Sequence, residues 1–321
     1  MSLKSILQQL NVFAECKKSR IPLRQCPSFL FVVMGLIIIA VMLITYYIGL
    51  HYVSPEMLII ILGIVTVILL IIGHTIVSGF ERIAQANRMK SEFVSIVSHQ
   101  LRTPLSSLKW SLGLFLGNRL GELSKKQKEY LDIINESNNR MIDLVNDLLN
   151  VNRIEQGRLG INPKTFSLDS LAEEVIGEIR PLAEQNGVTI EFHKEKSLSL
   201  VFADPDRIRM VLQNLIDNAI KYSKKDNDNK LAEVNIKRDK DKVVFSVRDN
   251  GVGIPFSLQR QVFGKFFRGD DLVKQKVEGA GLGLFIAKGI VNLSKGEIDF
   301  ESKEGEGSAF WFALPIAKKT N

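Results

Sequence analysis

Residues 93–105 read FVSIVSHQLRTPL, with His99 at the centre. Val94, Val97, Leu101, Leu105, Leu108, Leu112 and Phe115 recur at alternating three- and four-residue steps. That spacing predicts a helix with one apolar seam, packed against other helices. At about 100° per residue, His99 falls roughly 160° from the middle of the seam and points outward. Pro104 follows five residues later and lacks a backbone donor, so the helix is expected to bend or loosen just past the histidine. A lone histidine in such a place is ordinarily a surface residue. Its surroundings set this one apart.

The helix is expected to run from Ser78 to Asn118 and to break at Gly117, Asn118 and Gly121. A second helix is predicted from Ser124, an N-cap with Gln127 three residues on, to near Gly157. Leu131, Ile134, Met141, Leu144, Leu148 and Val151 form its apolar stripe. Two antiparallel helices cannot bury both stripes alone, so a symmetric four-helix bundle of two chains is expected.

Upstream of these helices the chain is apolar. Residues 29–50 carry no charge, and residues 57–77 are uncharged apart from His74. At about 1.5 Å per residue each is long enough for the ~30 Å hydrocarbon core of a bilayer. The first starts too late, runs too long and lacks the small-residue cleavage site of a signal peptide, so both are expected to remain as membrane spans. Residues 1–28 hold Lys4, Lys17, Lys18, Arg20 and Arg24 against Glu15, whereas the connection 51–56 has no Lys or Arg. The positive-inside rule then puts both chain termini in the cytoplasm of a cell-membrane protein. Tyr46, Tyr47 and Tyr52 fall at the outer interface. Six external residues are too few for a ligand-binding domain. His74 is read as an interfacial residue rather than a sensor.

The charge of +7 over 321 residues invites a nucleic-acid reading, yet no zinc-finger or RNA-binding signature accompanies it. The only cysteines, Cys16 and Cys26, imply no disulfide framework.

Beyond a linker near 157–163, strand and helix signals alternate. Strands are expected at 160–166, 188–193, 198–203, 231–238, 242–249, 296–302 and 308–314, and helices at 168–185, 205–222 and 282–293. This pattern is an α+β sandwich with helices on one face of a mixed sheet. The helix opening at Asp204-Pro205 has an N-cap and a proline at its first position. Asn214, Asn218 and Lys221 flank its apolar stripe, where buried amides need partners. A nucleotide and a hard cation such as Mg²⁺ would supply them. The strand VVFSVRD delivers Asp249 to its end, and Gly251 and Gly253 allow a close turn around a ligand. Residues 254–280 have little periodicity, as a lid does, with Phe263, Phe266 and Phe267 as candidate anchors and Lys265 and Arg268 as candidates to face phosphates. Gly279, Gly281 and Gly283 open the helix LGLFIAKGIV, whose N-terminus offers amides to a phosphate. GxxxxGK followed by Ser or Thr is absent, which excludes a P-loop enzyme.

Taken together, SHQLRTPL, QNLIDNAIKYS, DNGVGIP, VFGKFFRGD, GAGLGLF and GEGSAF resemble, in order, the motif boxes of sensor histidine kinases of two-component signalling. The resemblance covers residues 88–315. It implies a dimerisation and phosphoacceptor domain at 93–156, preceded by a signalling helix at 78–92, and an ATP-binding domain at 157–321. It implies that His99 accepts the γ-phosphoryl group of ATP, and that Thr103 helps hydrolyse the phosphorylated partner, a phosphatase role. Asn218 would hold Mg²⁺, while Lys221 and Tyr222 approach the phosphates and nucleoside. Asp249 would accept a hydrogen bond from the adenine amino group. Ile254, Phe263 and Arg268 of the lid, Leu282 and Leu284 of the glycine-rich helix start, and Ser308 complete the implied ATP site. The implied partners are a second copy of the chain and a separate response regulator with a receiver aspartate.

One residue departs from the family pattern: Gln100 stands where an acid usually follows the histidine. Two rival readings belong to other classes, and the Gln100 departure feeds the second. One is an ATPase of the related chaperone and mismatch-repair group, against which the His99 box and the spans argue. The other is a membrane scaffold that binds ATP only as a switch.

Overall fold

The computed structural model describes residues 27–117, 119, 121–196, 198–223, 229–268 and 279–317. The basic N-terminus with its two cysteines, Asn118, and lid residues 269–278 lie outside them. The chain divides into two compact units, Met1–Val97 and Ser98–Asn321, with the division inside one long helix.

In the first unit, α1 (Pro27–Tyr52) is followed by the start of α2 (Pro55–Leu116, 62 residues). Only Val53 and Ser54 separate them, so the connection expected at 51–56 is shorter than predicted. The flanking residues keep their helical hydrogen bonds, Val53 N–H donating to Gly49 O and Leu58 N–H to Ser54 O. Leu58 packs over Gly49, where any Cβ would overlap it. Among the described residues these two helices are long and apolar enough to cross a membrane, by length and composition. The helix expected from Ser78 is the continuation of the one that starts at Pro55.

In the second unit, α2 pairs with α3 (Lys125–Glu155). Helix α2 runs through Pro104 without a break. Ser124 caps α3 with the reciprocal box anticipated, its hydroxyl accepting from Gln127 N–H and the Gln127 side chain accepting from Ser124 N–H. The apolar seam divides into two stripes. Ser98 and Leu112, seven-residue steps either side of Leu105, turn inward and are buried. Leu101, Leu108 and Phe115, set about 60° around the helix, stay 45%, 39% and 41% exposed. On α3 the inward stripe is Asn138, Val145, Leu149 and Asn152, whereas Ile134, Met141 and Leu144 remain exposed. Counting asparagines as surface residues hid this stripe from the sequence reading, which expected a single face.

The rest of the second unit is a sandwich. Its main sheet runs β2 (Val188–Lys194), β4 (Lys230–Asp239), β5 (Lys242–Asp249), β7 (Gly307–Pro315), β6 (Glu297–Lys303) in spatial order. Only β2 and β4 are parallel. The helices α4 (Leu168–Gln185), α5 (Pro205–Lys221) and α7 (Gly283–Leu293) supply its core, and α6 (Phe256–Gln259) is a single turn. The one-sheet expectation needs correction: β1 (Lys164–Phe166) and β3 (Val201–Ala203) form a separate two-stranded sheet. Each is three residues long, and Val201 bridges to Ile316 rather than joining the main ladder. Val243, Phe245 and Val247 alternate into the core as predicted, and Phe245 stacks on Phe312 with ring centroids 5.2 Å apart. That alternation leaves Asp249 at the end of β5, at the rim of the core.

Candidate nucleotide and phosphoacceptor sites

Helix α5 forms one wall of a cleft beside the main sheet. Its start is fixed by Asp204, whose Oδ1 accepts from Asp206 N–H (3.0 Å) and Arg207 N–H (3.2 Å), while Oδ2 accepts from Asn162 N–H (2.7 Å). The fully buried stripe of Ile208, Val211, Leu212 and Leu215 sets the helix rotation, which turns Asn214, Asn218 and Lys221 to the cleft. Asn218 Nδ2 donates to Asn214 Oδ1 at 3.4 Å, so the carbonyl oxygen of Asn218 is the atom a cation would take. An amide oxygen suits the hard Mg²⁺ ion. Among the described residues no group of three or more His, Cys, Asp or Glu could hold a metal by itself.

The opposite wall is built at the ends of β5 and β7. Asp249 Oδ1 accepts from Gly251 N–H (2.8 Å) and from Ser308 N–H (3.2 Å), which ties the two strand ends together. Burial pushes the Asp249 carboxyl up to about 6, against the pull of those backbone donors. Gly253 has φ +67°, and a Cβ there would overlap Lys303 O, so the turn admits no side chain. Ile254 N–H donates to Ser302 Oγ (2.8 Å), and Gln259 Nε2 donates to Ile254 O (3.0 Å) and Ser302 O (2.9 Å). These bonds seat the first part of the lid. At the far end α7 begins against α5 so closely that a Cβ on Gly283 would overlap the Asn214 amide. The start of α7, which has no side-chain cap among the described residues, brings the positive end of its dipole to the cleft there.

The cleft gathers the residues expected of an ATP site from five separate chain segments. Asn214, Asn218, Lys221, Tyr222, Asp249 and Gly253 line it, with Ile254 and Arg268 of the lid. Gly279, Gly281, Leu282, Gly283, Leu284 and Ser308 close it. Two expected residues do not line it. Gly251 sits behind the wall, where a Cβ would overlap Tyr222 O. Phe263 packs edge-on to Phe300 at 5.7 Å and lies under Lys288 Nζ at 4.6 Å, a position that suits its reading as a lid anchor and not its place in the implied ATP site. The cleft also includes Val252, Pro255, Leu258, Val262 and Phe310, apolar residues with no local sequence signal. Asp147 of α3 lines it too, and nothing in its own stretch of sequence pointed there.

His99, Gln100 and Thr103 lie outside the cleft, exposed on α2. Two polar ties hold this part of the hairpin. Arg102 Nη2 donates to Asn146 Oδ1 (3.0 Å), and Asn138 Nδ2 donates to Leu105 O (3.1 Å). His99 is therefore an accessible imidazole on a fixed helix pair.

Comparison with known proteins agrees with this division. Residues 89–157 match the His Kinase A (phospho-acceptor) domain, and residues 203–318 match the histidine kinase-, DNA gyrase B-, and HSP90-like ATPase family. The circadian input-output histidine kinase CikA of Synechococcus elongatus is 34% identical over 232 residues, 72% of this chain and 30% of that protein. The signal transduction histidine-protein kinase BarA of Escherichia coli K12 is 32% identical over 243 residues, 75% of this chain and 26% of BarA. The chain thus spans less than a third of the length of these relatives. Among solved structures, full-length ShkA in complex with AMPPNP superposes with a TM-score of 0.60 at 26% identity, over 72% of this chain and 47% of ShkA. With phosphoacceptor and ATPase domains both matched, and in the order in which hairpin and cleft occur, the chain belongs to the sensor histidine kinases of two-component signalling.

Proposed function

We propose that this chain is a membrane-anchored, homodimeric ATP:protein-histidine phosphotransferase. The observation that carries the reading is the pairing, in one chain, of an exposed His99 on a helical hairpin with a cleft that collects the separately predicted nucleotide residues. Asp249 orients adenine by accepting a hydrogen bond from its amino group, and Asn218, Lys221 and Arg268 hold the phosphate side. Asn218 is the residue for Mg²⁺, which when bound neutralises charge on the phosphates. The amides at the start of α7 face the same charge. Most of the catalysis in such a transfer is positioning and charge stabilisation.

His99 Nε2 attacks the γ-phosphorus. The N–P bond forms as the bond to the bridging oxygen of the β-phosphate breaks, and ADP leaves. The imidazole must also lose its Nδ1 proton. Gln100 can accept a hydrogen bond from that N–H and hold the ring, but an amide is not a base near neutral pH. Water or a phosphate oxygen takes the proton. The phosphoryl group then passes to a receiver aspartate of a response regulator, and Thr103 serves dephosphorylation of that partner.

The exposed leucines of α2 and α3 support a second copy of the hairpin as their cover. The apolar lengths of α1 and α2 support a membrane hairpin, with both chain termini on the cytoplasmic side. Gln100 is the one feature that favours the second reading, an ATP-binding scaffold. The full-length protein in detergent, incubated with γ-labelled ATP and Mg²⁺, separates the two. An acid-labile, alkali-stable protein label is the phosphoramidate expected of the kinase, and nucleotide binding without label is the scaffold.

A further inference from the structure

Among the described residues that line the nucleotide cleft, Asp147 is the one carried by the phosphoacceptor hairpin. It stands on the cleft with Asn218 and Lys221, the residues assigned above to the cation and the phosphates. Resting on that assignment, we propose that Asp147 is a specificity-determining residue that makes the site select the metal-charged nucleotide over the metal-free one.

The place of Asp147 on the cleft wall, in one lining with Asn218 and Lys221, carries the proposal, and the charges around it agree. Lys221 is its cationic neighbour, yet Lys221 Nζ already donates to Asp217 Oδ2 at 2.9 Å. Lys221 attracts Asp147 through space while its hydrogen bond goes to Asp217. Asp143, one turn earlier on α3, adds a third negative charge. Burial and Asp143 together raise the Asp147 carboxyl to about 6, with Lys221 pulling the other way, as a poorly compensated charge requires. At pH 8 the group is ionised. A bare triphosphate entering this wall meets an acid it must be forced against. A divalent cation on the phosphates turns the same carboxylate from a repulsive neighbour into an attractive one.

The ligand chemistry agrees with the electrostatics. A carboxylate and an amide oxygen are the hard oxygen donors that Mg²⁺ accepts, directly or through its retained waters. Two such side chains cannot hold the ion alone, which fits a cation that arrives with its nucleotide. Because Asp147 belongs to α3, the selection is exerted by the hairpin on the cleft of the sandwich. Ile154, two turns further along α3, packs on α7 where Gly289 leaves no room for a Cβ, and Lys265 pairs with Glu155. These contacts hold the acid in place.

The test is equilibrium binding of adenosine, ADP and ATP to the full-length protein in detergent at pH 8, with Mg²⁺ and with excess EDTA. The parent and Asp147→Asn are compared. The variant keeps the shape of the side chain and removes its charge. The preference for Mg-ATP over free ATP should fall by about tenfold in Asp147→Asn, a factor between that of a contact charge pair in bulk water and that of one near a protein surface. The effect should be smaller for ADP and absent for adenosine, which has no phosphate. An unchanged metal preference in the variant overturns the proposal. So does an equal change for adenosine, which marks a packing role. Loss of ATP binding in the parent itself would instead overturn the nucleotide reading on which the proposal rests.

Discussion

The sandwich and the helical hairpin solve the burial problem in opposite ways. In the sandwich, Phe245, Phe312, Leu212 and Leu215 reach zero exposure within one chain, because a five-stranded sheet and three helices enclose them. In the hairpin, two helices have only one face toward each other. The buried line through Ser98 and Leu112 meets that of Asn138, Val145 and Leu149, and a second apolar line is left in water. Even the buried line is polar in part: Ser98 Oγ and Asn138 Oδ1 have no hydrogen-bond partner. A site that must stay rigid around a nucleotide sits on the self-sufficient element. In the proposed reading, the histidine that meets a partner sits on the element whose second apolar line another copy would cover.

This contrast is broken or sharpened by four changes. Phe245→Ala removes a fully buried ring and should cost about 3–5 kcal/mol of stability. Denaturant melts of the sandwich should show the loss at every protein concentration, because the core is intramolecular; a concentration-dependent loss would break the contrast. Leu108→Ala should leave the sandwich transition where it is. It should weaken self-association by tenfold or more, the equivalent of about 1.5–3 kcal/mol of leucine burial, read by sedimentation. An unchanged dimer would place the partner surface elsewhere.

The third change tests the hairpin's chemistry. General-base assistance is worth about 10²–10⁴-fold, so Gln100→Glu should speed single-turnover labelling by roughly tenfold or more if proton removal limits the rate. Nucleotide affinity should not move, since Gln100 lies outside the cleft. A rate unchanged from pH 6 to 9 would leave Gln100 a positioning residue and domain closure as the slow step.

The smallest effect concerns the sandwich and pH. The folded Asp249 carboxyl, near 6, lies above its unfolded value of about 3.9. Its contribution to the stability of the nucleotide-free protein is therefore present below about pH 4 and lost as pH rises through 6. ATP affinity has the opposite sense, because the ionised carboxylate is the stronger acceptor for the adenine amino group. Affinity should fall several-fold as pH drops through 6, and Asp249→Asn should flatten both profiles. A flat parent profile for ATP binding would remove Asp249 from adenine recognition.

Much of the fold was legible because its signals are local. Asp204-Pro205, the alternation through Val243, Phe245 and Val247, and the Ser124 capping box each announce an element within a few residues. The separate β1–β3 sheet was not legible, since pairing between strands of three residues is decided by tertiary neighbours such as Ile316. The inner stripe of α3 was hidden by Asn138 and Asn152, polar residues at core positions. Asp147 reaches the cleft from a helix far away in sequence, and no periodicity reports such a meeting. Phe263 carries an aromatic signal that suits a lid wall or a lid anchor equally, and only its packing on Phe300 distinguishes them.

The central claim is that acceptor and nucleotide site are separate structures joined by one phosphoryl transfer. Full-length parent and His99→Ala, each incubated with γ-labelled ATP and Mg²⁺ and assayed in parallel for ATP binding, test it most directly. The account predicts that the acid-labile label disappears in His99→Ala while ATP affinity stays the same. Label persisting on the variant, or ATP binding lost together with it, would contradict the account.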